Sequence, residues 1–196
     1  MQTKNNVQDQ DLLIVNNILK RIENSKKNPL FICIDGRSGV GKSTISKKLS
    51  EKIPTTLICS DDFYCNLETE ELLSFSVKER YEICLAYRKF IQNVLEPLQT
   101  NGQATWSDFR GVNHSARLTD LVIVEGIYCA RPELRDFFDL KFLIQMNDSQ
   151  RKSVLQNREA ADTLHNWHQI FDEVEDYYFH HVVSSKDFAE IFNRSI

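Results

Sequence analysis

The densest chemistry in the chain lies in Gly36-Arg37-Ser38-Gly39-Val40-Gly41-Lys42-Ser43-Thr44. The stretch fits G-x-x-x-x-G-K-[ST], a loop whose amides cradle phosphates where a helix begins. Gly36, Gly39 and Gly41 let the backbone turn tightly and come close to the phosphates. Their amides, with those of Val40 and Lys42, point into one concavity. Lys42 brings an ammonium to the β- and γ-phosphates, and the Ser43 hydroxyl, with Thr44 beside it, is a Mg²⁺ ligand. Together these residues imply a bound nucleoside triphosphate with Mg²⁺. ATP is expected rather than GTP, because no Asn-Lys-x-Asp guanine-reading motif occurs in the chain.

Carboxylates add a second layer. In an open parallel sheet, ligands bind at the carboxyl ends of the strands, and three acidic sites fall at such ends. Asp61 and Asp62 follow the run 55–59. Either could take a proton from an acceptor hydroxyl and align it on the γ-phosphate, or the pair could simply cap a turn. Glu125 follows Leu121-Val122-Ile123-Val124. An acid in that place holds Mg²⁺ directly or through water, or merely ends the strand. Asp108, between Trp106 and Phe109, reads by itself as a solvated loop acid.

The cations are less determinate. Arg88 falls on an apolar helical stripe and so needs an anionic partner, either a structural Asp or a substrate phosphate. Arg151 and Arg158 lie two turns apart on one helix face. They could close over the phosphates, or belong to a solvated surface helix. His165 and His168, and the neighbours His180 and His181, have no Cys or Glu spacing that completes a zinc set.

These groups need a frame, and the pattern supplies one. Apolar runs at 30–34, 55–59, 121–124 and 140–146 read as buried strands, and 188–192 as a closing strand. Helical patterns alternate with them: 11–25, 44–52, a long helix from the Ser76-Val77-Lys78-Glu79 capping box to Asn101, 132–138, 148–159 and 164–182, the last with Leu164, Trp167, Phe171, Val174 and Tyr178 inward. Residues 103–118 read as a loop or hairpin. The expected fold class is α/β: a P-loop NTPase fold, with a parallel β-sheet sandwiched by helices and a small lid. One domain is expected over 1–196, with an N-terminal helix in 1–28 and the lid at about 148–163.

Bulk properties narrow the partners. Over 196 residues, 24 basic side chains face 28 acidic ones, and the net charge of −4 argues against a nucleic-acid backbone binder. No apolar run is long enough to span a bilayer, so no membrane role is expected. Five scattered cysteines without a Cys-x-x-Cys spacing suggest reduced thiols and a cytoplasmic location. Oligomeric state leaves no mark.

Taken in order over about residues 30–190, these segments resemble the uridine kinase-like family of P-loop kinases, relatives of phosphoribulokinase and bacterial pantothenate kinase. The resemblance is carried by the phosphate loop from Asp35 to Ser46, Ser60-Asp61-Asp62-Phe63-Tyr64, Ser107-Asp108-Phe109, Ile123-Val124-Glu125-Gly126-Ile127-Tyr128 and Arg131-Pro132-Glu133-Leu134-Arg135-Asp136. It implies an ATP- and Mg²⁺-dependent kinase acting on a hydroxyl of a small metabolite, a nucleoside first. It places the catalytic base on Asp61, substrate contacts on Tyr64 and Asp108, and lid arginines on Arg151 and Arg158. Ser107 stands where the family usually has Tyr. The rival expectation is a nucleotide-binding regulatory or interaction module without phosphotransfer.

Overall fold

The computed structural model describes residues 2–158 and 160–195, without the side chains of 2–6, 161–167 and 169. Five strands, β1 (Leu30–Asp35), β2 (Thr56–Cys59), β5 (Leu121–Glu125), β6 (Leu140–Met146) and β7 (Glu190–Arg194), form one parallel sheet in the order β2-β5-β1-β6-β7. Strands β3 (Gln103–Ser107) and β4 (Asn113–Arg117) form a separate antiparallel hairpin, one of the two expected forms of this segment.

Strand alternation builds two cores, one on each face of the sheet. Leu30, Ile32 and Ile34 of β1 and Leu121 and Ile123 of β5 pack with Ile14, Val15 and Ile18 of α1 (Gln2–Glu23) and Ile45 and Leu49 of α2 (Lys42–Ser50). Phe31, Cys33, Val122 and Val124 face the other way, toward α4 (Val77–Cys84), α5 (Tyr87–Phe90), α6 (Glu96–Asn101) and α8 (Ala161–Tyr177). The short α3 (Thr69–Leu73) packs on α8, and α7 (Asp148–Arg158) lies beside the phosphate loop. The expected sheet with helices on both faces is therefore present. Among the described residues, no helix is long and apolar enough to cross a membrane. The side chains of Leu164, His165 and Trp167 of the expected last helix, and residue 159 of the expected lid, lie outside what the structure describes.

One expected element differs. The single long helix from Ser76 to Asn101 is broken. Its capping box is present, with Glu79 and Ser76 bonded reciprocally. At Leu85 and Ala86, however, the backbone leaves the helix because it pairs elsewhere. Cys65 N–H donates to Cys84 O at 2.8 Å, Ala86 N–H donates to Phe63 O at 2.8 Å, and Leu85 bridges Tyr64. A π-helical stretch, Ile91–Leu95, then joins α5 to α6. This break ties the segment after β2, which carries Asp61, to the helical layer.

Candidate active site

The phosphate loop spans from the end of β1 to the start of α2. Gly41 precedes the helix at φ 96°, a left-handed backbone that favours glycine. A side chain there would also meet Arg194, whose Nη1 lies 2.7 Å from the position a Cβ would take. Beneath the loop, the buried Asp35 accepts hydrogen bonds from Gly36 N–H (2.7 Å), Ala130 N–H (2.8 Å) and the Tyr178 hydroxyl (2.7 Å). Burial pushes its carboxyl above the usual range, although these three bonds and Lys42 pull the other way. Lys42 donates from Nζ to the carbonyls of Gly36 (2.8 Å) and Arg37 (3.2 Å), so its ammonium lies along the loop it serves.

The strand-end acids converge on the same place. Ser43 Oγ donates to Glu125 Oε1 at 2.9 Å, which joins the first turn of α2 to the end of β5. A hydroxyl and a carboxylate side by side are hard oxygen donors of the kind Mg²⁺ takes, so this pair fits the metal. Gly126 follows at φ 150°, and a Cβ there would lie 1.9 Å from Ser60 Oγ and 2.7 Å from Asp61 Oδ1. That close approach sets Asp61 beside Glu125. Ser38, Gly39, Gly41, Lys42, Ser43, Thr44, Asp61, Glu125, Val154, Arg158 and Arg194 line one cleft of about 310 Å³.

The structure separates the two neighbouring aspartates. Asp62 accepts a hydrogen bond from Trp106 Nε1 at 3.0 Å, and its carbonyl accepts one from Phe109 N–H at 2.9 Å. It anchors the β3–β4 hairpin. Asp61 faces the cleft, with Ile127 N–H donating to its Oδ1 at 3.2 Å. Burial pushes its carboxyl up to about 6; Glu125 and Asp35 push the same way, against Lys42 and the Ile127 amide. In the free protein, a ¹³C-carboxyl NMR titration is expected to find the Asp61 midpoint near pH 6. A midpoint near 4, the ordinary value, would mean that this environment does not exist in solution.

No family model matches the chain. The uridine kinase of Streptococcus pyogenes serotype M5 (strain Manfredo) is 26% identical over 183 residues, covering 84% of this chain and 86% of that protein. The uridine kinase of Lactiplantibacillus plantarum is 29% identical over 143 residues, covering 66% and 67%. Among solved structures, one described as "a Possible Uridine Kinase from Bacillus stearothermophilus" matches with a TM-score of 0.70 and 19% identity, over 94% of this chain and 98% of that one. By sequence and by fold, the chain resembles the uridine kinase-like P-loop kinases. The structural match shows the α/β P-loop fold.

Against that uridine kinase-like frame, the remaining expected residues divide. Arg158, exposed at the end of α7, lines the cleft. Arg151 does not. It is buried behind the loop, donating to Asp148 Oδ1 (2.7 and 3.0 Å), Asp172 Oδ1 (3.4 Å) and Ser38 O (3.4 Å), with Glu175 3.5 Å away. Acidic residues of α7 and α8 surround it and turn it from the cleft. Arg37 lends its backbone to the loop, while its side chain pairs with Asp176 and lies over the Phe179 ring.

Arg88 is a second correction. The helix break takes it off the buried stripe; it is exposed and lies against its neighbour Tyr87. Two guanidinium groups are buried in this region: Arg80, which donates to Ile170 O at 2.9 Å and pairs with Glu173, and Arg131, over the rings of Tyr81 and Tyr87 at 4.8 and 4.1 Å and paired with Glu133. Asp108 is buried, not solvated. It accepts from Arg110 Nη2 (2.6 Å), from the amides of Arg110 and Val112 (2.9 Å each), and lies 3.3 Å from His114 Nε2. Burial would raise its carboxyl, but the Val112 amide and the Arg110 and His114 side chains outweigh that and hold it well below the usual range. Tyr64 stacks on Phe171 at 5.8 Å. Sequence reasoning placed Tyr178 inward but gave it no role at the site, and missed Glu175, whose Oε1 accepts from Ser38 N–H at 3.3 Å, and Arg194. The spacing Glu175-Asp176-Tyr177-Tyr178 on an amphipathic helix was the available signal for the first two.

Proposed function

We propose that this chain is a Mg²⁺-ATP-dependent kinase that phosphorylates a hydroxyl of a small metabolite in the cytoplasm, with a nucleoside as the first acceptor. The observation that carries the reading is the Ser43–Glu125 contact at 2.9 Å in the cleft that also holds Lys42 and Asp61. The uridine kinase relatives support the acceptor class. Bound Mg²⁺-ATP supplies the γ-phosphoryl group and the metal charge that offsets it. The loop amides and Lys42 bind the phosphate oxygens, and Ser43 and Glu125 would hold Mg²⁺. Asp61 orients the acceptor hydroxyl and takes its proton at a carboxylate oxygen. Arg158 places a cation over the phosphates from α7. Tyr64 and the hairpin held by Asp108 form the acceptor wall, with Asp108 shaping the wall through Arg110 and His114.

The test is coupled ADP release with Mg²⁺-ATP against a panel of nucleosides, pantothenate and sugars. Acceptor-dependent release is expected, and Lys42→Ala should lower it by about 10²- to 10³-fold, the effect of losing one preorganised charge-stabilising donor. ATP binding with no release for any acceptor would favour the non-catalytic nucleotide-binding module.

A further inference from the structure

Arg194, the last residue of β7, lies in the cleft with the phosphate loop but far from it in sequence. Its guanidinium rests on Gly41, and its Nη1 donates to Val40 O at 3.3 Å. Its Nε donates to Asp11 Oδ1 at 2.6 Å. Asp11 comes from the N-terminal helix α1 and is itself 2% exposed. Lys48 of α2 donates to the other oxygen of Asp11 at 2.8 Å. One residue along each segment, the Gln10 amide exchanges two hydrogen bonds with Ser195, at 2.7 and 2.8 Å. Helix α1 therefore clamps the end of β7 at two consecutive residues.

A stability role alone leaves part of this arrangement unaccounted for. Asp11 already has Lys48. Arg194 brings a second buried cation to the loop, and its Nη2 has no partner among the described residues. A guanidinium fixed through Nε and Nη1 in the wall of a phosphate-binding cleft, with Nη2 still able to donate, is an arrangement that recognises phosphate oxygen.

We infer that Arg194 is a phosphate-binding residue of the nucleotide site and that Asp11 of the N-terminal helix is its positioning residue. This rests on the proposed function only in taking the ligand of the cleft to be a nucleoside triphosphate. Helix α1 is thereby part of the nucleotide site, although it supplies no atom to the ligand.

Calorimetric titration of the full chain with a non-hydrolysable Mg²⁺-ATP analogue and with Mg²⁺-tripolyphosphate tests it. Arg194→Gln is expected to weaken both ligands about tenfold, the effect of one charge-assisted hydrogen bond, with Arg194→Lys in between. Asp11→Asn should weaken both in the wild-type background and add nothing in the Arg194→Gln background, because it acts through that side chain. Additive effects would make Asp11 merely structural and overturn its role. Unchanged tripolyphosphate affinity in Arg194→Gln or Arg194→Lys, with a wild-type melting temperature, would overturn the phosphate contact. If only the ATP analogue were weakened, Arg194 would meet the nucleoside instead. Wild-type protein that bound neither ligand would sink the proposed function itself, an outcome distinct from failure of the variants.

Discussion

Asp61→Asn is expected to lower kcat by about 10²- to 10⁴-fold while leaving nucleotide affinity within a few-fold of wild type. Asn keeps the size of the side chain and an oxygen for the Ile127 amide, which donates to Asp61 Oδ1 at 3.2 Å. What it loses is the capacity to accept a proton. The fold should not suffer. Because burial raises the Asp61 carboxyl to about 6, above its unfolded value, its contribution to stability is fully present at acid pH. That contribution is lost as the pH rises through about 6, where the buried group ionises. At pH 7.5 the folded protein carries the cost of that ionisation, and the amide removes it. The variant should therefore melt no lower than wild type. The same sign governs the wild-type pH profile. The ionised base is the active form, so kcat/KM should fall below a midpoint near pH 6, and this acid limb should vanish in Asp61→Asn. An inactive variant that also failed to bind nucleotide would refute the assignment of Asp61 as a base. So would a variant that kept wild-type kcat.

Local signals exposed the donor half of the site, and only the folded chain exposed the rest. The phosphate loop is one contiguous motif between a buried strand and a helix, so Gly36 to Ser43 could be read without a fold. Glu125 could be read because an apolar run must end somewhere, and in a parallel sheet it ends at the ligand edge. Asp61 and Asp62 are a different case. Both follow β2, and what separates them is a hydrogen bond from Trp106, on a hairpin that no local pattern ties to that turn. Arg88 was misplaced for a similar reason. Helical periodicity in the sequence runs on through Leu85 and Ala86, where the backbone instead bonds to Phe63 and pairs with Tyr64. Tertiary pairing of this kind overrides helical periodicity. Arg194 carried no local signal, because its meaning comes from α1 and the loop packing around it.

Arg151 gives the second large effect, and it falls on stability rather than turnover. The side chain is 1% exposed, and it faces Glu175, which is equally buried, together with Asp148 and Asp172. Replacing it with Met keeps much of the volume and leaves Glu175 buried without its main counter-charge. Breaking a buried ion pair by removing one partner destabilises by about 3–5 kcal/mol. For a chain of this size that corresponds to a melting temperature lower by roughly 10 °C. The loop should loosen as well, because Arg151 donates to Ser38 O and Glu175 accepts from Ser38 N–H. A lid arginine would behave in the opposite way, with kcat falling and the melting temperature unmoved. Thermal melts of Arg151→Met and Arg158→Met side by side decide the matter. Arg158, exposed on the cleft wall, should lose activity without losing stability. Wild-type stability in Arg151→Met would return that arginine to the lid and leave the acidic cage around it without a function.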